Sequence, residues 1–291
     1  MKHKIHSRKP KNFVLEERIE RYIDAIELYP QEMAGHWASD YCPWIDDEYE
    51  GAPKRFSHVH LDLGCGKGSY LVACAQKHPD TLFIGMDQEP ICVVYTAQAI
   101  CEAGLNNAVV VPGLASNLLD FFAEGELDSI TLNFPTPHPR KKAAPERLTN
   151  ASHLMVYRKL LSREGFLQLR TDSQPLRDFS LTQYEVAGYV LDWVSDDVRS
   201  LNTDEPITEY EQRLTQLGAS VYGMKIHPDW NAPIDREALE REIDTKQSLV
   251  DYLPEDIFEM DYVPYGMERT LYNLRQYEKK HHKKYQYRDN N

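Results

Sequence analysis

The sequence predicts a doubly wound, Rossmann-like α/β sheet, and three observations carry that expectation. Between residues 58 and 186, short apolar runs alternate with helix-length stretches five times; the first run ends in a glycine turn; and a carboxylate, Asp87, closes the second. Alternation at this spacing is the mark of parallel strands joined by crossover helices, with ligands held beyond the carboxyl ends of the strands.

Residues 12–29 read as a helix with Val14, Ile19, Tyr22, Ile23 and Ile26 on one apolar face, and the proline- and aromatic-rich stretch to residue 54 reads as loop. Strand 58–63 leads through glycines into helix 69–77. Strand 82–87 and helix 90–103 follow, the helix closed by Gly104, which can adopt the left-handed stop. Strand 108–111, a short helix at 117–122, strand 129–133, helix 150–161, strand 165–170 and helix 175–186 complete the alternation. Residues 189–194 and 219–224 read as two more strands around a helix at 208–217. Beyond them, 235–253 reads as an acidic helix with Leu239, Ile243, Val250 and Leu253 on one face, and the tail from Lys279 is expected to lack order. The expected organisation is a basic N-terminal arm, helix and loop (1–57), a core domain (58–224) and an acidic helical extension with a basic tail (225–291).

An apolar content of 42% over 291 residues supplies a sizeable core, which sets disorder aside. Five cysteines, an odd number without Cys-x-x-Cys spacing, point to a reducing compartment and no metal site. Residues 1–6 lack the apolar segment of a signal peptide and no run is long enough to span a bilayer, so a soluble, cytoplasmic protein without a membrane partner is expected. The net charge of -13 opposes nonspecific binding to nucleic acid, yet cations gather at 2–11, 140–142 and 279–288.

The run His60-Leu61-Asp62-Leu63-Gly64-Cys65-Gly66-Lys67-Gly68 passes from strand through glycines into a helix, which lets backbone approach a ligand at the helix amino terminus. Its Gly-x-Gly-x-Gly spacing, with Ser69 next, differs from the Gly-x-Gly-x-x-Gly that seats a dinucleotide pyrophosphate, and so turns the reading away from a nicotinamide dehydrogenase. Asp87 lies 19 residues after Gly68, where a carboxylate can accept both hydroxyls of a ribose. Together these features predict a nucleoside-bearing cofactor. A second segment, Asn133-Phe134-Pro135-Thr136-Pro137-His138-Pro139-Arg140-Lys141-Lys142, follows a strand directly. Its prolines stiffen the loop and present Thr136, and its cations suit an anionic ligand.

Residues 58–224 resemble the class I S-adenosylmethionine-dependent methyltransferases, whose sheet has seven strands with the last antiparallel, here followed by a helical C-terminal extension. Four further blocks resemble the bacterial tRNA (guanine-N7)-methyltransferase family: Phe83-Ile84-Gly85-Met86-Asp87 with Pro90, Phe134-Pro135-Thr136-Pro137-His138, Thr171-Asp172, and Thr208-Glu209-Tyr210-Glu211 with Gly218. The resemblance implies methyl transfer from S-adenosylmethionine to N7 of a guanine in the variable loop of tRNA. It implies cofactor contacts at Asp62, Gly64, Gly66, Gly68, Asp87, Gln88, Leu114, Ala115 and Asn133. It further implies substrate contacts at Arg140, Asp172, Thr208, Glu209, Tyr210 and Glu211, and puts Thr136 at the catalytic position. Guanine N7 carries an in-plane lone pair and attacks a sulfonium methyl without losing a proton, so the site has only to align the two and tolerate the new charge.

The chain departs from the family at Thr136, where the family has aspartate, at His138, where it has tryptophan, and at Leu114, where it has an acid; the basic run after the loop is thinned to Lys142-Ala143-Ala144-Pro145-Glu146-Arg147. Two other readings stay open on the same residues. One is a catalytically weak relative that binds cofactor or RNA; the other is a methyltransferase with a different acceptor.

Overall fold

The structure is a computed structural model that describes residues 13–39, 55–201 and 204–282. The basic cluster at 2–11, most of the loop before residue 55 and the tail from 283 lie outside the described residues. Seven strands form one mixed sheet, in the order β3 (Ala108–Pro112), β2 (Thr81–Asp87), β1 (His58–Leu63), β4 (Leu127–Asn133), β5 (Leu161–Thr171), β7 (Tyr222–Pro228), β6 (Tyr189–Ser195), in keeping with the predicted doubly wound class. The chain divides into two compact units, Met1–Asp128 and Ser129–Asn291.

In the first unit, α1 (Leu15–Arg21) is shorter than the helix expected over 12–29. The chain leaves it at Tyr22, takes a 3-10 turn (Ile23–Ala25), and Ile26 forms a parallel bridge with Val110, beside which the Glu27 N–H donates to the Val110 carbonyl. The apolar spacing is that of a helix, but Ala25 and Ile26 bury more surface by joining the core cluster, and the bridge satisfies backbone groups of the neighbouring strand. There follow β1 (His58–Leu63), α2 (Ser69–Lys77), β2 (Thr81–Asp87), α3 (Pro90–Glu102), β3 (Ala108–Pro112) and α4 (Leu118–Phe121). β1 pairs with β2 and β2 with β3, both parallel, and the strands are buried almost throughout, as parallel strands covered by helices must be. Asn107 Nδ2 lies 3.0 Å from the carbonyls of Ala75, His78 and Thr81, tying the end of α2 to the start of β2.

β4 (Leu127–Asn133) crosses into the second unit, which continues with α5 (Ala151–Leu160), β5 (Leu161–Thr171), α6 (Gln174–Gln183), β6 (Tyr189–Ser195), α7 (Glu209–Gln216) and β7 (Tyr222–Pro228). β7 runs antiparallel to both β5 and β6, as the resemblance implies, but it starts at Tyr222 rather than residue 219. Helix starts follow local chemistry: Asn150, Ser173 and Thr208 each accept from a backbone N–H of the first turn of α5, α6 and α7.

The extension differs most from expectation. The acidic helix expected over 235–253 is α8 (Arg236–Thr245), ended by Lys246 at φ 47°, and Ser248 then caps a separate 3-10 turn (Leu249–Tyr252). The break lets the Leu249 N–H and the Ser248 hydroxyl donate to the Pro139 carbonyl, at 3.0 and 3.1 Å. A final helix, α9 (Glu268–His281), occupies a stretch whose end was expected to lack order. Leu249, Ile257, Met267, Leu271 and Leu274 bury themselves against Leu176 and Phe179 of α6. Each such side chain contributes about 1.5–3 kcal/mol, enough together to order the segment.

Candidate active site

Within residues 1–128 the glycine turn and Asp87 come together as expected. Gly64, Gly66 and Gly68 have φ of 81°, 59° and 77°, a region that favours glycine. Gly68 starts α2, and a Cβ there would lie 2.7 Å from Thr96 Cγ2. Thr96 donates its hydroxyl to the Gly66 carbonyl at 3.0 Å, so α3 fixes the turn from behind. At Gly64 and Gly66 an added Cβ would meet nothing within 4 Å, leaving an open cradle over the backbone. Asp87 Oδ2 accepts from the Gly66 N–H at 3.0 Å and Oδ1 from the Glu89 N–H at 2.9 Å, which fixes the carboxylate plane. Burial pushes its pKa above the usual 3.8 despite those donors. Asp62 is buried. Burial raises the pKa of the Cys65 thiol and the charges of Asp62 and Asp87 add to the rise, so both carboxylates act on the same small volume and Cys65 stays a neutral thiol. The Gly113 N–H donates to the Asp87 carbonyl, bringing the turn after β3 to this point, with Leu114 exposed, its N–H held by Asn117 Oδ1, and Ala115 half-buried. Gln88 is exposed beside Asp87.

Within residues 129–291 the proline loop leaves β4 after Asn133, which is half-buried. Phe134 and His138, each just before a proline, adopt φ of 51° and 48°. A non-glycine residue held there costs about 1–3 kcal/mol and persists only where the surroundings impose it. Arg147 imposes it at His138. Fully buried, it donates from Nε to the Pro137 and His138 carbonyls at 3.3 and 3.1 Å, from Nη2 to His138 at 3.0 Å, and from Nη1 to the Gln247 carbonyl at 2.9 Å, with its guanidinium 4.4 Å from the Phe179 ring centre. Burial lowers its pKa to about 10, which leaves it charged at neutral pH. Thr136 is left exposed at the tip. His138 is held below its ordinary pKa by burial, so it is a neutral ring at pH 7.

Beside this loop, Tyr210 meets the Phe134 ring edge-on at 5.2 Å, and its hydroxyl pKa is raised by burial and then by the charge of Asp172. Asp172, at the end of β5, is buried, and its Oδ2 accepts from the Tyr262 hydroxyl at 2.7 Å and the Tyr265 N–H at 3.1 Å. Thr208 caps α7 through the Glu211 N–H. Glu211, 1% exposed, binds Arg199 Nε through Oε1, while Oε2 meets no donor among the described residues. A buried acceptor of this kind calls for a partner that the described residues do not supply. The Glu209 side chain lies outside the described residues. Arg140 is exposed and lines a cavity of about 320 Å³ with Pro139, Ser248, Asn273 and Tyr277, a lining that does not include Asp172, Tyr210 or Glu211.

A glycine cradle backed by two carboxylates, and a strained loop beside buried acceptors, suit a nucleoside donor and a planar, hydrogen-bonding acceptor. Comparison with known proteins decides the matter. Residues 57–224 match the family model described as "Putative methyltransferase". The tRNA (guanine-N(7)-)-methyltransferase of Geobacillus kaustophilus (strain HTA426) is 36% identical over 203 residues, 68% of this chain and 90% of that protein. The chain belongs to the tRNA (guanine-N7)-methyltransferase family. The protein of the same name from Latilactobacillus sakei subsp. sakei (strain 23K) is 30% identical over 206 residues, 70% of this chain and 91% of its own length.

The methyl donor of the family is S-adenosylmethionine, and the residues present fit it: the open cradle over Gly64 and Gly66 admits a close backbone approach, and both Asp87 oxygens keep lone pairs beyond their backbone bonds. Sequence reasoning missed three contributors. Thr96 gives no local signal. Arg147 reads only as the end of a thinned basic run but is an internal clamp. Tyr262 belongs to the extension, which lies beyond the family match.

Proposed function

We propose that this protein transfers the methyl group of S-adenosylmethionine to N7 of a guanine in the variable loop of tRNA, in the cytoplasm. Membership of the family is the observation that carries this reading, and the buried acceptors Asp172 and Glu211 support it from the chain's own chemistry. In the tRNA reading, the acidic surface elsewhere favours a docked, specific encounter over nonspecific affinity.

S-adenosylmethionine supplies an electrophilic methyl on a sulfonium. Asp87 would accept the ribose hydroxyls, the Gly64–Gly66–Gly68 turn would admit the nucleoside, Asp62 would serve the methionyl end, and Gln88, Leu114, Ala115 and Asn133 would complete the set of cofactor contacts. The carboxylates of Asp172 and Glu211 receive the guanine N1–H and N2 donors, and Tyr210 closes the apolar side with Phe134. Thr208 and Glu209 shape the start of α7, and Arg140 offers a cation to a phosphate. With the donor bound, a guanine N7 would take the methyl as the carbon–sulfur bond broke, the positive charge would pass from sulfur to the purine, and no proton would have to leave the acceptor. Thr136 therefore orients the acceptor rather than acting as a base.

The test is incubation with unmodified tRNA and labelled S-adenosylmethionine, then mapping of 7-methylguanine. Label at one guanine of the variable loop is the expected result; no incorporation at saturating cofactor overturns the reading.

A further inference from the structure

We propose that Tyr262, in the extension beyond the family match, is a positioning residue for the guanine-reading carboxylate of Asp172. This rests on the assignment of Asp172 to the acceptor, given above. The Tyr262 hydroxyl and the Tyr265 N–H both donate to Oδ2, at 2.7 and 3.1 Å, so neither uses Oδ1. Two donors on one oxygen fix the plane of the carboxylate and leave the other oxygen to a ligand N–H. A charge-assisted bond of this kind is stronger than a neutral one and directional.

The alternative is that the segment blocks Asp172 and must swing away. The anchors oppose that. Ile257 and Met267, on either side of Tyr262, are buried in the cluster formed with α6, and Pro264 is buried between them. Ser173, the neighbour of Asp172, donates its hydroxyl to Met267 Sδ at 3.4 Å. Gly266 stacks so closely on the proline loop that a Cβ would lie 3.3 Å from Pro137 Cδ. A short segment fixed at both ends and in its middle is part of the wall, not a strap. Burial, and then the bond to Asp172, raises the pKa of Tyr262, so the hydroxyl keeps its proton and remains a donor at all working pH.

The test compares wild type, Tyr262→Phe, Asp172→Asn and the double variant. For Tyr262→Phe, kcat/KM with tRNA falls about tenfold, chiefly through KM, the loss expected for one bond to a charged group. Affinity for S-adenosylmethionine stays at the wild-type value and the variant unfolds in one cooperative transition with only a small fall in midpoint, which separates positioning from structural damage. In the Asp172→Asn background the same change has a much smaller effect, because the carboxylate that Tyr262 orients has been replaced by a neutral amide. Unchanged or faster transfer by Tyr262→Phe overturns the inference, as does a full effect in the Asp172→Asn background. Should wild type transfer no methyl to tRNA, the proposed reaction itself falls, and the inference is judged by tRNA binding: weaker binding by Tyr262→Phe that largely disappears beside Asp172→Asn supports it, and equal binding overturns it.

Discussion

The Arg147 guanidinium donates to the His138 carbonyl from both Nε and Nη2, at 3.1 and 3.0 Å, and so holds His138 in a backbone conformation it would otherwise leave. Replacing Arg147 with methionine keeps much of the volume but orphans the carbonyls. We expect a loss of about 3 kcal/mol in urea unfolding and a collapse of methyl transfer, with cofactor affinity in calorimetry unchanged. Lysine does not rescue, because a single ammonium cannot reproduce the fork.

Gly68→Ala tests the turn. The residue stands at φ 77° with Thr96 Cγ2 2.7 Å from the new Cβ, so backbone strain and overlap act together. Stability drops by about 2–4 kcal/mol and S-adenosylmethionine binds more weakly, as read by thermal melting and calorimetry.

Asp87 gives a pH signature. Its folded pKa is raised, so its contribution to folding is fully present below the ordinary value of 3.8 and is lost as pH rises through the folded value. On the proposed role of Asp87, cofactor binding runs the opposite way, because only the carboxylate could accept both ribose hydroxyls. Affinity for S-adenosylmethionine is flat near neutrality and declines as pH falls through the raised value, at a pH higher than an exposed carboxylate would give. Asp87→Asn binds about tenfold more weakly at pH 7 and shows no inflection in a calorimetric pH series.

Thr136→Asp returns the residue that the family keeps at the loop tip. A carboxylate there stabilises the positive charge passing to the purine, and kcat rises about tenfold, while Thr136→Ala costs less than that because no proton has to be removed. Single-turnover transfer to tRNA distinguishes the two. A Thr136→Asp variant no faster than wild type would mean that charge at the tip is not limiting.

Much of the nucleotide-binding half was legible because its signals are local: buried parallel strands are continuous apolar runs, and a glycine turn or Asp87 stands beside them in the chain. The acceptor half depends on partners far apart in sequence. Proline neighbours are biased towards extended backbone, yet Phe134 and His138 sit at positive φ, Phe134 with its N–H on the Arg170 carbonyl and His138 with its carbonyl in the fork of a buried guanidinium. The fourteen residues of α9 bury only Leu271 and Leu274, too few to announce a helix by periodicity, and Tyr262 carries no pattern at all. The helix expected over 12–29 failed for the same kind of reason, since Ile26 is worth more as a bridge to Val110.

The Gln247 carbonyl that completes the Arg147 clamp is 100 residues downstream of it. During synthesis the proline loop, β5 and α6 leave the ribosome well before their partners, so Leu176 and Phe179 wait uncovered until Leu271 and Leu274 arrive. The nucleotide-binding turn, by contrast, draws its contacts from Gly64 to Thr96 and can mature early. Translation thus orders the assembly: the glycine turn can close before the proline loop has its full clamp, and a chain cut short before Gln247 leaves Arg147 without one of its acceptors.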